Sequence, residues 1–187
     1  EESEKIFHDG ESSIASCHYK RQIKNEEDIY KIRAPYVCLD AGMTEYNYNV
    51  MKHIFSEIID IKKRGQPGFW LAPWDTLTTW WGGQELLMDM ALRPELVKLA
   101  IQRLMNAYME MLDQYERLNL LALNNGNYVY GNGTGGLGFS DELPGQDFDP
   151  NHIRPNNLWG CAAAQIFSEV SPRMHKEFAL DYEIPWL

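Results

Sequence analysis

The chain has 187 residues and carries 27 acidic against 17 basic side chains, a formal net charge of −10. Hydrophobic residues make up 44%, with 14 Gly and 9 Pro, enough apolar surface to offset the entropy of ordering and to exclude a collagenous or disordered chain. The acidity speaks against nucleic acid or an anionic membrane as a partner, because phosphate binding needs a Lys/Arg footprint.

Residues 1–24 are polar and show no strong period. Asn25-Glu26-Glu27-Asp28 has the form of a helix start, an Asn cap with acids in the first turn, and Pro35 ends that helix. The recurrence of Tyr46, Val50, Ile54 and Phe55 predicts a helix over Thr44–Glu57. Ile58-Ile59-Asp60-Ile61 is β-branched and predicts a short buried strand ending at Lys62-Lys63-Arg64-Gly65. Punctuation by Pro67, Gly68, Pro73, Gly82 and Gly83 predicts a long loop over Gln66–Gly83. A short helix comes next, over Gln84–Leu92.

The clearest helix runs from Pro94 to Arg117. Pro94 suits a first helical position, and Val97, Ile101, Leu104, Tyr108, Met111 and Tyr115 alternate at steps of four and three. Leu118-Asn119-Leu120-Leu121-Ala122-Leu123 predicts a second buried strand, closed by Asn124-Asn125-Gly126. A second long loop occupies 126–160. Ser171-Pro172 opens a last helix bearing Met174, Phe178 and Tyr182. Strands that alternate with helices predict an α/β protein with a parallel sheet, whose sites are built at the C-terminal ends of strands.

Several groups are candidates for chemistry. Gly131 to Gly136 has the spacing G-x-G-x-x-G, but it neither succeeds a strand directly nor opens a helix, so a loop is the better reading than a dinucleotide site. Phe69, Trp70, Trp74, Trp80 and Trp81 cluster in one stretch, either as core beneath a loop or as the wall of a pocket for a flat ligand. Asp75 is a helix cap or a site carboxylate. Arg64 could receive ligand carboxylates, and Asn124 and Asn125 could hydrogen-bond a substrate or form the turn into Gly126. The histidines share no metal spacing. Cys17, Cys38 and Cys161 form no C-x-x-C pair, which predicts the reducing cytoplasm and no thiolate metal site, and the polarity of the longest uncharged stretch, Leu118 to Ser140, predicts a soluble protein.

Ala72-Pro73-Trp74 with its Thr-rich turn, Gln84 to Met90, Arg93-Pro94-Glu95-Leu96-Val97, and Ser171-Pro172 with Glu177-Phe178-Ala179-Leu180-Asp181-Tyr182 occur in an order that resembles the uroporphyrinogen decarboxylase superfamily. The resemblance extends from about Asn25 to Leu187. It implies a partial (β/α)8 TIM barrel over 43–187, led in by an irregular segment and short helix over 1–42. Because such a barrel needs about 250 residues, the chain reads as a central slice, incomplete at both ends.

The resemblance implies an enzyme, a carboxy-lyase that needs no metal or organic cofactor and binds a tetrapyrrole or another multi-carboxylate ligand. Asp75 and Asn125 are then the catalytic candidates, and Arg64, Trp74, Trp80 and Asn124 the substrate-binding ones. The family's Tyr falls at Thr79 or Trp80, and its Ser at Asn124 or Asn125. A second branch of the superfamily implies a methyltransferase using zinc and a corrinoid. Its His-x-Cys pair is not among these 187 residues, so its metal ligands would lie outside the chain, and a corrinoid protein or a second copy would be its partner. A third possibility is a non-catalytic binding protein on a retired barrel.

Overall fold

Helices carry most of the ordered backbone in the computed structural model, which describes residues 3–7, 15–125 and 142–187. A hairpin of β1 (Ser3–Phe7) and β2 (Ala15–Tyr19) pairs antiparallel, with Ser3 opposite Tyr19. Next in order are α1 (Glu26–Ile29), α2 (Ala41–Phe55), β3 (Trp70–Leu71), α3 (Pro73–Trp81), α4 (Gly83–Leu92) and α5 (Pro94–Arg117). The chain closes with β4 (Cys161–Ala162), α6 (Pro172–His175), a π-helical turn over Lys176–Leu180, and α7 (Asp181–Glu183).

The partial (β/α)8 barrel expected from the sequence is not what the structure shows. β3 and β4 are two residues long and form the only parallel strand pair among the described residues, so the fold is an α-rich mixed one. The physical reason lies in the two runs expected to be strands. Ile58 and Ile59 sit in a turn after α2 and are 75% and 55% exposed. Without a partner strand, a β-branched run gains nothing from extended backbone. In the second run, Leu118 and Asn119 end α5, and pairing is confined to one parallel bridge between Gln66 and Leu121.

The described chain divides into two units. The first comprises 1–34, 70–110 and 161–187, and the second 35–69 and 111–160. In the first unit the predicted loop over Gln66–Gly83 is largely helical. Pro73 takes the first helical position of α3, where a missing N–H costs nothing, and Trp74, Leu77 and Trp81 lie on one buried face. That face joins Val97, Ala100, Ile101 and Leu104 of α5, with Phe167 and Phe178 completing the core. The last helix starts as expected, with Ser171 Oγ accepting from Met174 N at 3.2 Å.

In the second unit, Asp40 caps α2 by accepting from Met43 N at 2.8 Å, and the helix begins at Ala41 rather than Thr44. Its apolar residues Tyr46, Val50 and Ile54 are exposed, and none of its residues is fully buried. The half-buried Tyr48 ring lies under the ammonium groups of Lys52 and Lys63, at 5.4 and 5.1 Å. α5 stops where Asn119 turns left-handed (φ 53°), a conformation that Asn tolerates better than most residues. Gly65 permits the Gln66 bridge, because a Cβ there would stand 2.5 Å from the Leu120 carbonyl oxygen.

Candidate functional site

In the first unit the two short strands run side by side and deliver their succeeding residues to the same end. Trp70 pairs with Cys161 and Leu71 with Ala162, and Ala163 N donates to Leu71 O at 2.9 Å. Ala72-Pro73-Trp74 turns the chain at once from β3 into α3. Asp75 is exposed in the first turn of that helix, where the backbone N–H groups favour a negative charge. The helix cap itself is Ala72, which makes no side-chain cap bond, so the cap role considered for Asp75 is not the one it has.

Trp74, Asp75 and Trp80 therefore share α3. Trp74 is core: it is fully buried, with its ring 4.5 Å from that of Phe167. Trp80 is half-buried, and its carbonyl accepts from Gln22 N and Ile23 N at 2.7 and 3.0 Å. Arg64, Asn124 and Asn125 belong to the second unit. Arg64 is exposed and donates from Nη2 to Leu123 O. Asn124 is buried and locked to Trp159, donating from Nδ2 to its carbonyl at 2.8 Å and accepting from its N–H at 3.0 Å. Asn125 is half-buried. The segment Gly131 to Gly136 lies outside the described residues.

The strongest electrostatic feature of the first unit was not singled out from the sequence. The buried carboxylate of Asp89 accepts from Trp81 Nε1 at 2.7 Å, Arg21 Nη2 at 2.8 Å and Arg93 Nε at 2.8 Å, and also from Arg93 Nη2. Arg93 takes it in a two-pronged grip, which adds geometry to charge. Arg21 Nε and Arg93 Nη1 then donate to the carbonyls of Ile23 and Lys24, each at 2.9 Å, which fixes the segment entering α1. The Arg93 bonds hold the Asp89 carboxyl below its ordinary value of 3.8 against the opposing effect of burial, with Trp81 assisting. The i, i+4 spacing of Asp89 and Arg93 was a legible signal. The approach of Arg21, 68 residues away, was not.

Glu183 of α7 presents the opposite case. It is buried, its Oε1 has no hydrogen-bond partner among the described residues, and burial pushes its carboxyl above its ordinary value of 4.5. The folded state therefore binds a proton more tightly than the unfolded chain. Stability is full below pH 4.5 and falls as pH rises toward the folded value, because the charged form must be buried. Glu183→Gln is expected to raise stability at pH 7 by on the order of 1 kcal/mol. Urea denaturation checks this, and the gain should vanish at pH 4, where both side chains are neutral.

Cys161 on β4 is half-buried, and burial raises its thiol above its ordinary value, so it is no activated nucleophile. Among the described residues no three His, Cys, Asp or Glu side chains are placed to hold a metal ion. No helix among them is long and apolar enough to cross a membrane. No family model, no curated protein and no solved structure matches the chain.

Proposed function

We propose that the chain binds a tetrapyrrole or a related multi-carboxylate ligand, in the manner of uroporphyrinogen decarboxylase-like enzymes. One observation carries the reading: Ala72-Pro73-Trp74, the central motif of the resemblance, stands at the end of a parallel-paired strand and leaves the Asp75 carboxylate exposed. An exposed carboxylate in the first turn of a helix, beside a parallel strand pair, is open to a ligand's N–H. Protonation of a pyrrole ring carbon puts positive charge on the ring nitrogen, and the electron pair of the breaking C–C bond then flows into the ring and discharges it as carbon dioxide leaves. A fixed carboxylate accepting the pyrrole N–H stabilises that charge. Asp75 has that role here. Arg64, Asn124 and Asn125 lie in the second unit and are not needed for it.

The test is a titration with coproporphyrin, which carries four carboxylates on a tetrapyrrole. Absorbance shift and quenching of Trp fluorescence are the readouts. Asp75→Asn is expected to weaken binding about tenfold, the worth of a hydrogen bond to a charged group. Absence of saturable binding, or equal binding by Asp75→Asn, would overturn the proposal.

A further inference from the structure

Beside the Asp89 node the first unit opens a cleft of about 660 Å³, lined by Arg21, Lys24, Glu85, Met88, Asp89, Leu92 and Arg93. Three cations thus meet in a chain whose net charge is −10. The two acids on the wall do not cancel them. Asp89 is shared by Arg21 and Arg93, and the Lys24 carbonyl takes Arg93 Nη1, so among the described residues Arg21 Nη1 is the guanidinium nitrogen that makes no bond. Glu85 is folded back over the start of its own helix, where a Cβ on Gly82 would stand 2.4 Å from Glu85 Oε2. Lys24 is exposed, and its ammonium makes no bond among the described residues. Counting all five groups, the cleft keeps one net positive charge. Asp28 stands close by, accepting from the Lys24 backbone N–H at 3.0 Å, but its other oxygen pairs with Lys31 at 2.6 Å, and salt screens exposed charges beyond about 8 Å.

The other wall is apolar. Met88 and Leu92 stand one turn apart on α4 and are 52% and 70% exposed, so the two side chains together offer apolar cover beside the arginines. The Arg forks cannot swing freely, because Asp89 and the Ile23 and Lys24 carbonyls hold them. Donors fixed before the ligand arrives lose little entropy on binding, and Arg is better suited than Lys to a planar carboxylate.

We infer that this cleft is a binding site for an organic carboxylate with an apolar body, the carboxylate meeting Arg21, Lys24 and Arg93 and the body covering Met88 and Leu92. The inference is independent of the tetrapyrrole proposal, since any carboxylate joined to an apolar body fulfils it, and none of its residues is Asp75. The probe is pyrenebutyrate, with neutral pyrenebutanol as its control, monitored by pyrene fluorescence on the 187-residue chain. Pyrenebutyrate should bind saturably, and pyrenebutanol about tenfold more weakly.

Lys24→Glu should raise the Kd of pyrenebutyrate at least about tenfold and leave that of pyrenebutanol unchanged, with the thermal melt unmoved because the Lys24 side chain makes no bond among the described residues. Leu92→Ser should weaken both probes several-fold, since it removes apolar cover alone. The site is refuted if the two probes bind alike, if both variants bind pyrenebutyrate like the parent, or if no saturable binding occurs. Coproporphyrin binding that depends on Asp75 but not on Lys24 would keep the tetrapyrrole proposal and place its ligand outside this cleft.

Discussion

Asp89→Ala is expected to cost about 3–5 kcal/mol, measured as a lower urea midpoint at an unchanged slope or as loss of the cooperative transition altogether. The substitution strands two guanidinium groups and the Trp81 N–H, all of which now share one buried carboxylate. Such a loss is larger than the net worth of the intact cluster, because most of it is the cost of leaving charges unpaired. Asp89→Asn should cost less, since an amide oxygen still accepts from one donor. The pH dependence comes from the depressed Asp89 carboxyl. Its contribution is complete above the ordinary value of 3.8 and is lost as pH falls through the lower folded value. Asp89→Asn should therefore abolish the part of acid destabilisation below pH 3.8 that the parent chain shows. A variant with parental stability and an unchanged acid limb would show the cluster to be ornamental.

The second large effect is expected at the two tryptophans of α3. Trp74→Ala should cost about 3–5 kcal/mol, the usual range for emptying a buried aromatic site. Replacement by Phe separates packing from hydrogen bonding. Both rings are fully buried, yet Trp74 Nε1 has no hydrogen-bond partner among the described residues whereas Trp81 Nε1 donates to Asp89. Trp81→Phe should therefore exceed Trp74→Phe by about 1.5–3 kcal/mol, the worth of a bond to a charged acceptor. In an Asp89→Asn background that difference should shrink, because the acceptor is no longer charged. Equal costs for the two Phe variants in the parent chain would remove Trp81 from the cluster's energetics.

The helices that were legible in the sequence carry their own start and stop signals. α5 has the predicted bounds, since Pro94 opens it and its apolar residues keep helical spacing. Asn25 and Ser171 cap the helices they precede, accepting from Asp28 N and Met174 N. α3 was missed because Pro67, Gly68, Pro73, Gly82 and Gly83 punctuate the stretch from Gln66 to Gly83 as they would a loop. The spacing of Trp74, Leu77 and Trp81 at i, i+3 and i+7 was present, but it was obscured by the adjacent Trp80 and Trp70. The opposite error arose at Ile58 and Ile59, where β-branched side chains suggested a strand that has nothing to pair with. The parallel sheet expected from that strand and from the one at Leu118–Leu123 fell with them, and the barrel that the resemblance implied finds only two short parallel strands among the described residues.

For the sites, residue type was legible and engagement was not. Asp75 was marked by its neighbours and stands exposed at a strand end, while Asn124, marked in the same way, spends its amide on the Trp159 backbone. Arg21 and Lys24 look like ordinary surface cations in a polar segment. They acquire a cleft only when Arg93 and Asp89 of a distant stretch arrive beside them.

The sequence by itself determined the negative charge, the caps and the long amphipathic helix, because each depends on residues within a turn or two of one another. The tertiary structure alone decided which expected strands found partners, which tryptophans became core and which carboxylate was caged by arginines. Those outcomes depend on burial and pairing between segments many residues apart, and local composition holds no record of the partner.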